Sequence, residues 1–133
     1  MIEWKPEYAV GIDRLDNLNK KYVNATNRVY TGIHSGSGRE CLIEALDEIL
    51  EYISICFPEE ERMMRTDEYP WYESHKEEHR KFLGDVLELQ LGLISGKAVS
   101  PLRIGAVLYN WLNDHIGGLD KRYLIFLFVR SAA

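Results

Sequence analysis

The stretch Tyr72-Glu-Ser-His75-Lys-Glu-Glu-His79-Arg-Lys-Phe82-Leu-Gly-Asp-Val86-Leu-Glu-Leu89 sets the fold class. Tyr72, His75, His79, Phe82, Val86 and Leu89 recur at three- and four-residue steps, the repeat of one helix face, while charged residues fill the positions between. Glu77 and Glu78 face solvent by the same periodicity. Two histidines four apart on such a stripe stack one above the other, about 6 Å apart along the axis. That spacing suits two nitrogens holding one metal ion.

Helical periodicity extends outward in both directions and is cut into four pieces. Tyr69-Pro70 opens the third helix, and Ser95-Gly96-Lys97 closes it, which predicts a helix over 70–94. Upstream, Leu42, Leu46, Ile49, Ile53, Cys56 and Glu60 share one face of a second helix over 39–66. Pro58 lies inside it, lacks the N–H for the Ser54 carbonyl and crowds that oxygen, so two helical halves with a bend are expected. Ser35-Gly36-Ser37-Gly38 is a turn, and Leu15, Tyr22, Ala25, Val29 and Ile33 give the first helix its buried side over 13–34. His34, at its end, suits the negative pole of the helix. Downstream, Ser100-Pro101 is a cap-and-first-residue pair for a fourth helix over 101–128, with Ile104, Leu108, Trp111, Leu112 and His115 inward. Residues 1–12 read as an extended arm whose Trp4 and Tyr8 must lie on something apolar. The expectation is an all-α, up-down-up-down four-helix bundle, one domain over 1–133.

The bulk numbers agree. The 133 residues suit one core, and 46% hydrophobic with 28% charged residues is ordinary for a globular chain. A net charge of −5 argues against nucleic acid and against anionic lipid surfaces. No apolar h-region opens the chain, and its longest apolar run, Leu124 to Val129, is too short for a membrane span. Cys41 and Cys56 on one helix stand roughly 22 Å apart along the axis, too far for a disulfide. Two free thiols suit a reducing cytoplasm.

Three of the four histidines fall in apolar stripes: His75, His79 and His115. Glu60 continues the buried stripe of the second helix. Asp120 lies five residues past His115, off the same face of an ideal α-helix, but Gly117-Gly118 between them permits a local bulge that turns it inward. One polar residue on a core stripe is ordinarily just hydrogen-bonded. Three imidazoles and two carboxylates converging in one bundle are costly to bury unless an ion draws them together.

These residues resemble the hemerythrin family. Cys56-Phe57 with Glu60-Glu61 and Met64, Tyr69-Pro70, His75 with His79 and Phe82, then Trp111-Leu112, His115-Ile116, Asp120 and Tyr123 match its order and spacing. Trp4, Tyr8-Ala9-Val10-Gly11-Ile12-Asp13 and Leu15-Asp16 match the arm and first helix of its bacterial members, so the resemblance covers essentially the whole chain. It implies a site for two irons, held by five histidines and two bridging carboxylates. By position His75, His79 and His115 look like the three histidines of one iron, and Glu60 and Asp120 like the bridges. Where the other iron takes its two histidines, this chain has Asn19 and Cys56. Both departures fall on one iron, which implies a half-retained site holding one ion: iron, with zinc or another divalent ion as alternatives.

In the family, O₂ takes two electrons, one from each ferrous ion, so a single iron implies a poor or absent reversible oxygen carrier. Three readings stay open: a sensor or binding domain responding to a small ligand such as O₂ or NO, in the manner of family domains joined to signalling modules; a mononuclear non-haem iron enzyme acting on a reactive oxygen or nitrogen species; and a metal-free structural remnant. Nothing specifies a substrate pocket, so turnover is the weaker expectation. Cys56 reads as apolar filler, ligand or redox thiol. Asn19 reads as a hydrogen-bond partner of Glu60 or neighbouring backbone. Tyr123 reads as an aromatic anchor with a wet tip or as a hydroxyl donor near the metal pocket.

Overall fold

A computed structural model describes residues 1–36 and 38–132; Ser37, within the predicted turn, lies outside the described residues, as does Ala133. The elements are a 3₁₀ turn (Pro6–Tyr8) within the arm expected to be extended, α1 (Asp13–Ser35), α2 (Arg39–Thr66), α3 (Tyr72–Ile94), α4 (Pro101–Asn110), a π-helical segment (Trp111–Leu119) and α5 (Asp120–Ala132), the last three forming one continuous rod that runs past the expected end at 128. The architecture is an all-α four-helix bundle.

Its ends follow from local chemistry. Gly36 takes φ +65° and returns its N–H to the Gly32 carbonyl, the left-handed stop that glycine adopts without strain. Ser100 caps α4 through its hydroxyl, 3.4 Å from the Arg103 nitrogen, with Pro101 at the first position. Arg39, opening α2, donates to the Leu93 carbonyl at 2.8 Å and so seals the far end of α3. α3 begins two residues later than the spacing predicts, because Pro70 and Trp71 form a turn before it.

The interior is built from the stripes. Tyr22, Leu46, Ile49, Val86, Leu112 and Ile116 are fully buried, and the Tyr22 hydroxyl donates to the Leu108 carbonyl across the bundle at 2.6 Å. The arm closes one side. Asp16 accepts from the Val10 and Gly11 nitrogens at 2.8 and 3.2 Å, and Gly11 needs its φ of +82° to make that return. Trp4 and Tyr8 meet edge to face at 5.6 Å, as their apolar character requires.

Two expectations change. The break at Pro58 does not occur: α2 runs unbroken through it. Proline removes one N–H only, and the flanking Cys56, Phe57 and Glu60 are all buried and hold the path. The fourth helix is not uniformly α-helical; its π-helical stretch is longer than a bulge at Gly117-Gly118 alone.

Candidate metal centre

Three helical rods converge on one buried point. Glu60 comes from α2, His75 and His79 from successive turns of α3, His115 from the π segment, and Asp120 opens α5. Five residues in an α-helix rotate a side chain about 140° away from its starting face. The π segment removes that offset: the Asp120 N–H bonds the His115 carbonyl, five residues back, and both side chains face inward.

The Nε2 atoms of His75 and His115 address both Glu60 Oε1 and Asp120 Oδ1, and that of His79 addresses Glu60 Oε1. His75 Nε2 pairs closely with Glu60 Oε1 and lies 3.2 Å from Asp120 Oδ1. His79 Nε2 is 3.1 Å from Glu60 Oε1. His115 Nε2 is 3.2 Å from Asp120 Oδ1 and 3.9 Å from Glu60 Oε1. The donor atoms of Glu60, His75, His79 and His115 lie within 4.8 Å of one another, and all four residues are buried.

The arrangement is electrostatically bound to hold positive charge. Burial alone lowers the His75 pKa, but hydrogen bonds to Asp120 and Glu60 outweigh it and push the value up to about 9. His115 is likewise pulled down by burial and, on balance, raised by the charge and hydrogen bond of Asp120. Burial raises Glu60, yet hydrogen bonds from His115, His75 and His79 hold its carboxyl well below the usual range. Even so, the contact between His115 Nε2 and Asp120 Oδ1, both buried and 3.2 Å apart, is poorly aligned, so neither atom is fully satisfied. Unpaired buried polar atoms are costly. A divalent cation fits these residues, because three neutral imidazoles with two carboxylates carry −2 and offer both nitrogen and oxygen.

Aromatic rings fix the imidazole planes. Trp111 stacks on His115 at 3.7 Å and 10°, and Phe82 covers the other face of Trp111 at 4.1 Å. Phe57 stacks on His79 at 3.9 Å and 12°.

The wall formed by Asn19 and Cys56 has a different chemistry. Asn19 is buried, and its Oδ1 accepts from the Tyr52 hydroxyl at 2.7 Å rather than meeting the expected Glu60 or backbone partner. Tyr52 reaches it because it sits one turn before Cys56 on the stripe of α2 facing α1. Cys56 is buried outside the group of converging donors. Burial, then the negative charges of Glu60 and Asp120, push its thiol pKa up, so it keeps its proton in the metal-free chain.

Of the two readings of Tyr123, the structure shows the aromatic anchor. Its hydroxyl donates to Asp67 and its ring packs 5.1 Å from Tyr69, so it is not a hydroxyl donor to the pocket. Asp67, just past α2, lies where the hydroxyl ends. Glu61, which helical periodicity does not single out, also belongs to the site. Its Oε2 accepts from His79 Nδ1 at 2.8 Å. The signal available was its place beside Glu60, opposite a histidine whose second nitrogen needed a partner.

A four-helix bundle enclosing a histidine–carboxylate cluster defines a class of cation-binding domains. Residues 10–126 match the family described as the hemerythrin HHE cation-binding domain. The chain belongs to the hemerythrin family. It is 28% identical to a bacteriohemerythrin of Stenotrophomonas maltophilia over 92% of this chain and 79% of that protein. It is 26% identical to a bacteriohemerythrin of Methylococcus capsulatus, over 88% of each chain. It is 30% identical to a hemerythrin-like protein of Naegleria gruberi over 90% of this chain and 88% of that one. No helix among the described residues is long and apolar enough to cross a membrane.

Proposed function

We propose that this chain binds one divalent ion, iron, through His75, His79 and His115 with Glu60 and Asp120, and acts as a sensor or binding domain rather than a reversible oxygen carrier. The observation that carries this reading is the unequal pocket. Three imidazole nitrogens gather on Glu60 Oε1, two of them also within 3.2 Å of Asp120 Oδ1, whereas the opposite wall offers an amide engaged by Tyr52 and a protonated thiol. A ferrous ion there would supply one electron per redox change and an attachment point for a small ligand such as O₂ or NO. The chain's own residues hold the ion, neutralise it and shield it with Phe57 and Trp111. A cytoplasmic setting suits the two free thiols, Cys41 and Cys56.

One observation favours turnover instead. A cleft of about 620 Å³ between α3 and the fourth rod, edged by Lys81, Arg103 and Asp114, reaches His115. A reactant of a few atoms entering by that cleft would make the protein a mononuclear redox enzyme.

Metal analysis of the purified protein tests the main reading. A ratio near one ion per chain is the expected result. A ratio near two, or reversible appearance of the family's oxygenated visible absorption on aerating ferrous protein, overturns it, and a ratio near zero after iron supplementation leaves a metal-free bundle.

A further inference from the structure

We propose that Glu61 is a positioning residue of the metal centre: it holds His79 as the Nδ1–H form, so that Nε2 is the nitrogen presented to the ion. The inference rests on the metal-binding reading above. A carboxylate only accepts hydrogen bonds, so His79 Nδ1 carries its hydrogen wherever the 2.8 Å contact with Glu61 Oε2 is made. The same ring's Nε2 lies 3.1 Å from Glu60 Oε1, inside the cluster. Adjacent residues of α2 therefore grip the two nitrogens of one imidazole. Phe57, one turn before Glu61 on α2, stacks on that ring at 3.9 Å and 12°, which removes its freedom to flip.

The three imidazoles are not held alike. His115 Nδ1 is buried with no hydrogen-bond partner, so its orientation depends on stacking against Trp111. His79 alone is shown with a carboxylate behind it. A negative charge hydrogen-bonded to the outer nitrogen raises the basicity of the inner one and fixes its direction. Glu61 is also partly exposed, its side chain 19% accessible, on a groove of about 420 Å³ between α2 and α3 that Lys76 and Arg80 border. Removing it leaves the core intact.

The test uses the full chain with Zn²⁺, which binds nitrogen and oxygen without redox chemistry. Affinity is measured by competition with a chromophoric chelator for the unsubstituted chain, Glu61→Ala, Glu61→Gln and Glu77→Ala. Glu77 is exposed, borders the same groove and pairs with Arg80 at 2.9 Å, so it reports on charge alone. Glu61→Ala is expected to weaken binding roughly 10- to 100-fold with the saturating ratio still one. Glu61→Gln, which keeps an acceptor oxygen, recovers part of that, and Glu77→Ala stays near the unsubstituted value. Nitrogen NMR of the zinc-loaded chain should show His79 with a slowly exchanging Nδ1–H that exchanges faster in Glu61→Ala. Unchanged affinity and exchange in Glu61→Ala, or an equal loss in Glu77→Ala, overturns the assignment while the metal centre stands. Failure of the unsubstituted chain to take up zinc or iron overturns both.

Discussion

His75 and His79 are one turn apart and act on a single point, so removing either leaves the other with too few companions to hold an ion. His79→Ala is expected to abolish binding at one ion per chain, read by metal analysis after desalting; retained stoichiometry would exclude His79 as a ligand. Protons compete for the same nitrogens. In the metal-free chain His75 has its pKa raised from 6.5 to about 9. Its proton therefore stabilises the folded apoprotein fully below about pH 6.5, and that contribution is lost as pH rises through about 9. Metal needs the neutral imidazole and gains over the same interval. The rise in melting temperature on adding zinc should be larger at pH 8.5 than at pH 6, and a smaller rise at the higher pH would contradict the shared nitrogens. The three histidines and Glu60 were legible because each interrupts an apolar stripe. Glu61 was not, since its partner belongs to another helix and only the packing of α2 on α3 brings them within 2.8 Å. The Tyr52 partner of Asn19 was hidden for the same reason, being 33 residues away.

At the level of elements, the fourth rod decides whether the centre closes. Its two glycines suggested a bulge, and the bond from the Asp120 N–H to the His115 carbonyl shows the register that results. Sequence periodicity tracks a fixed repeat, so it locates such an irregularity only through residues that permit it and cannot give its length. Inserting one alanine after Gly118 would turn the downstream residues by about 100° of helical rotation. Asp120 would then leave the pocket. The expected outcome is near-unchanged helical circular dichroism with metal affinity lowered at least tenfold, and unchanged affinity would show that the π register is dispensable. The helix boundaries were largely readable, because turns at Gly36 and Ser95-Gly96 and the cap at Ser100-Pro101 carry local signals. Pro58 misled, since buried neighbours on both sides outweigh one missing hydrogen bond.

The bundle as a whole is one core threaded by a polar centre, and binding there is linked to folding. At a free zinc concentration 100 times its Kd, the folded state gains about 2.7 kcal/mol. Chelation should lower the melting temperature by several degrees, and identical melting with and without chelator would argue that no ion is held. The same view gives the sharpest test of the unequal pocket. Restoring two imidazoles through the pair Asn19→His and Cys56→His should raise the metal ratio from one towards two. A double variant that folds by circular dichroism yet still holds one ion would show that those two positions do not account for the missing half.

Tyr8 lies across Gly117, where a Cβ would stand 3.6 Å from the tyrosine ring and 3.4 Å from the Leu112 carbonyl. The first twelve residues are thus a latch on the rod that carries His115 and Asp120. Lifting that latch would let water at the backbone of the irregular turn, so tension on the leading end of the chain, once Ile2 came free of Asn27 on α1, would loosen one wall of the cage.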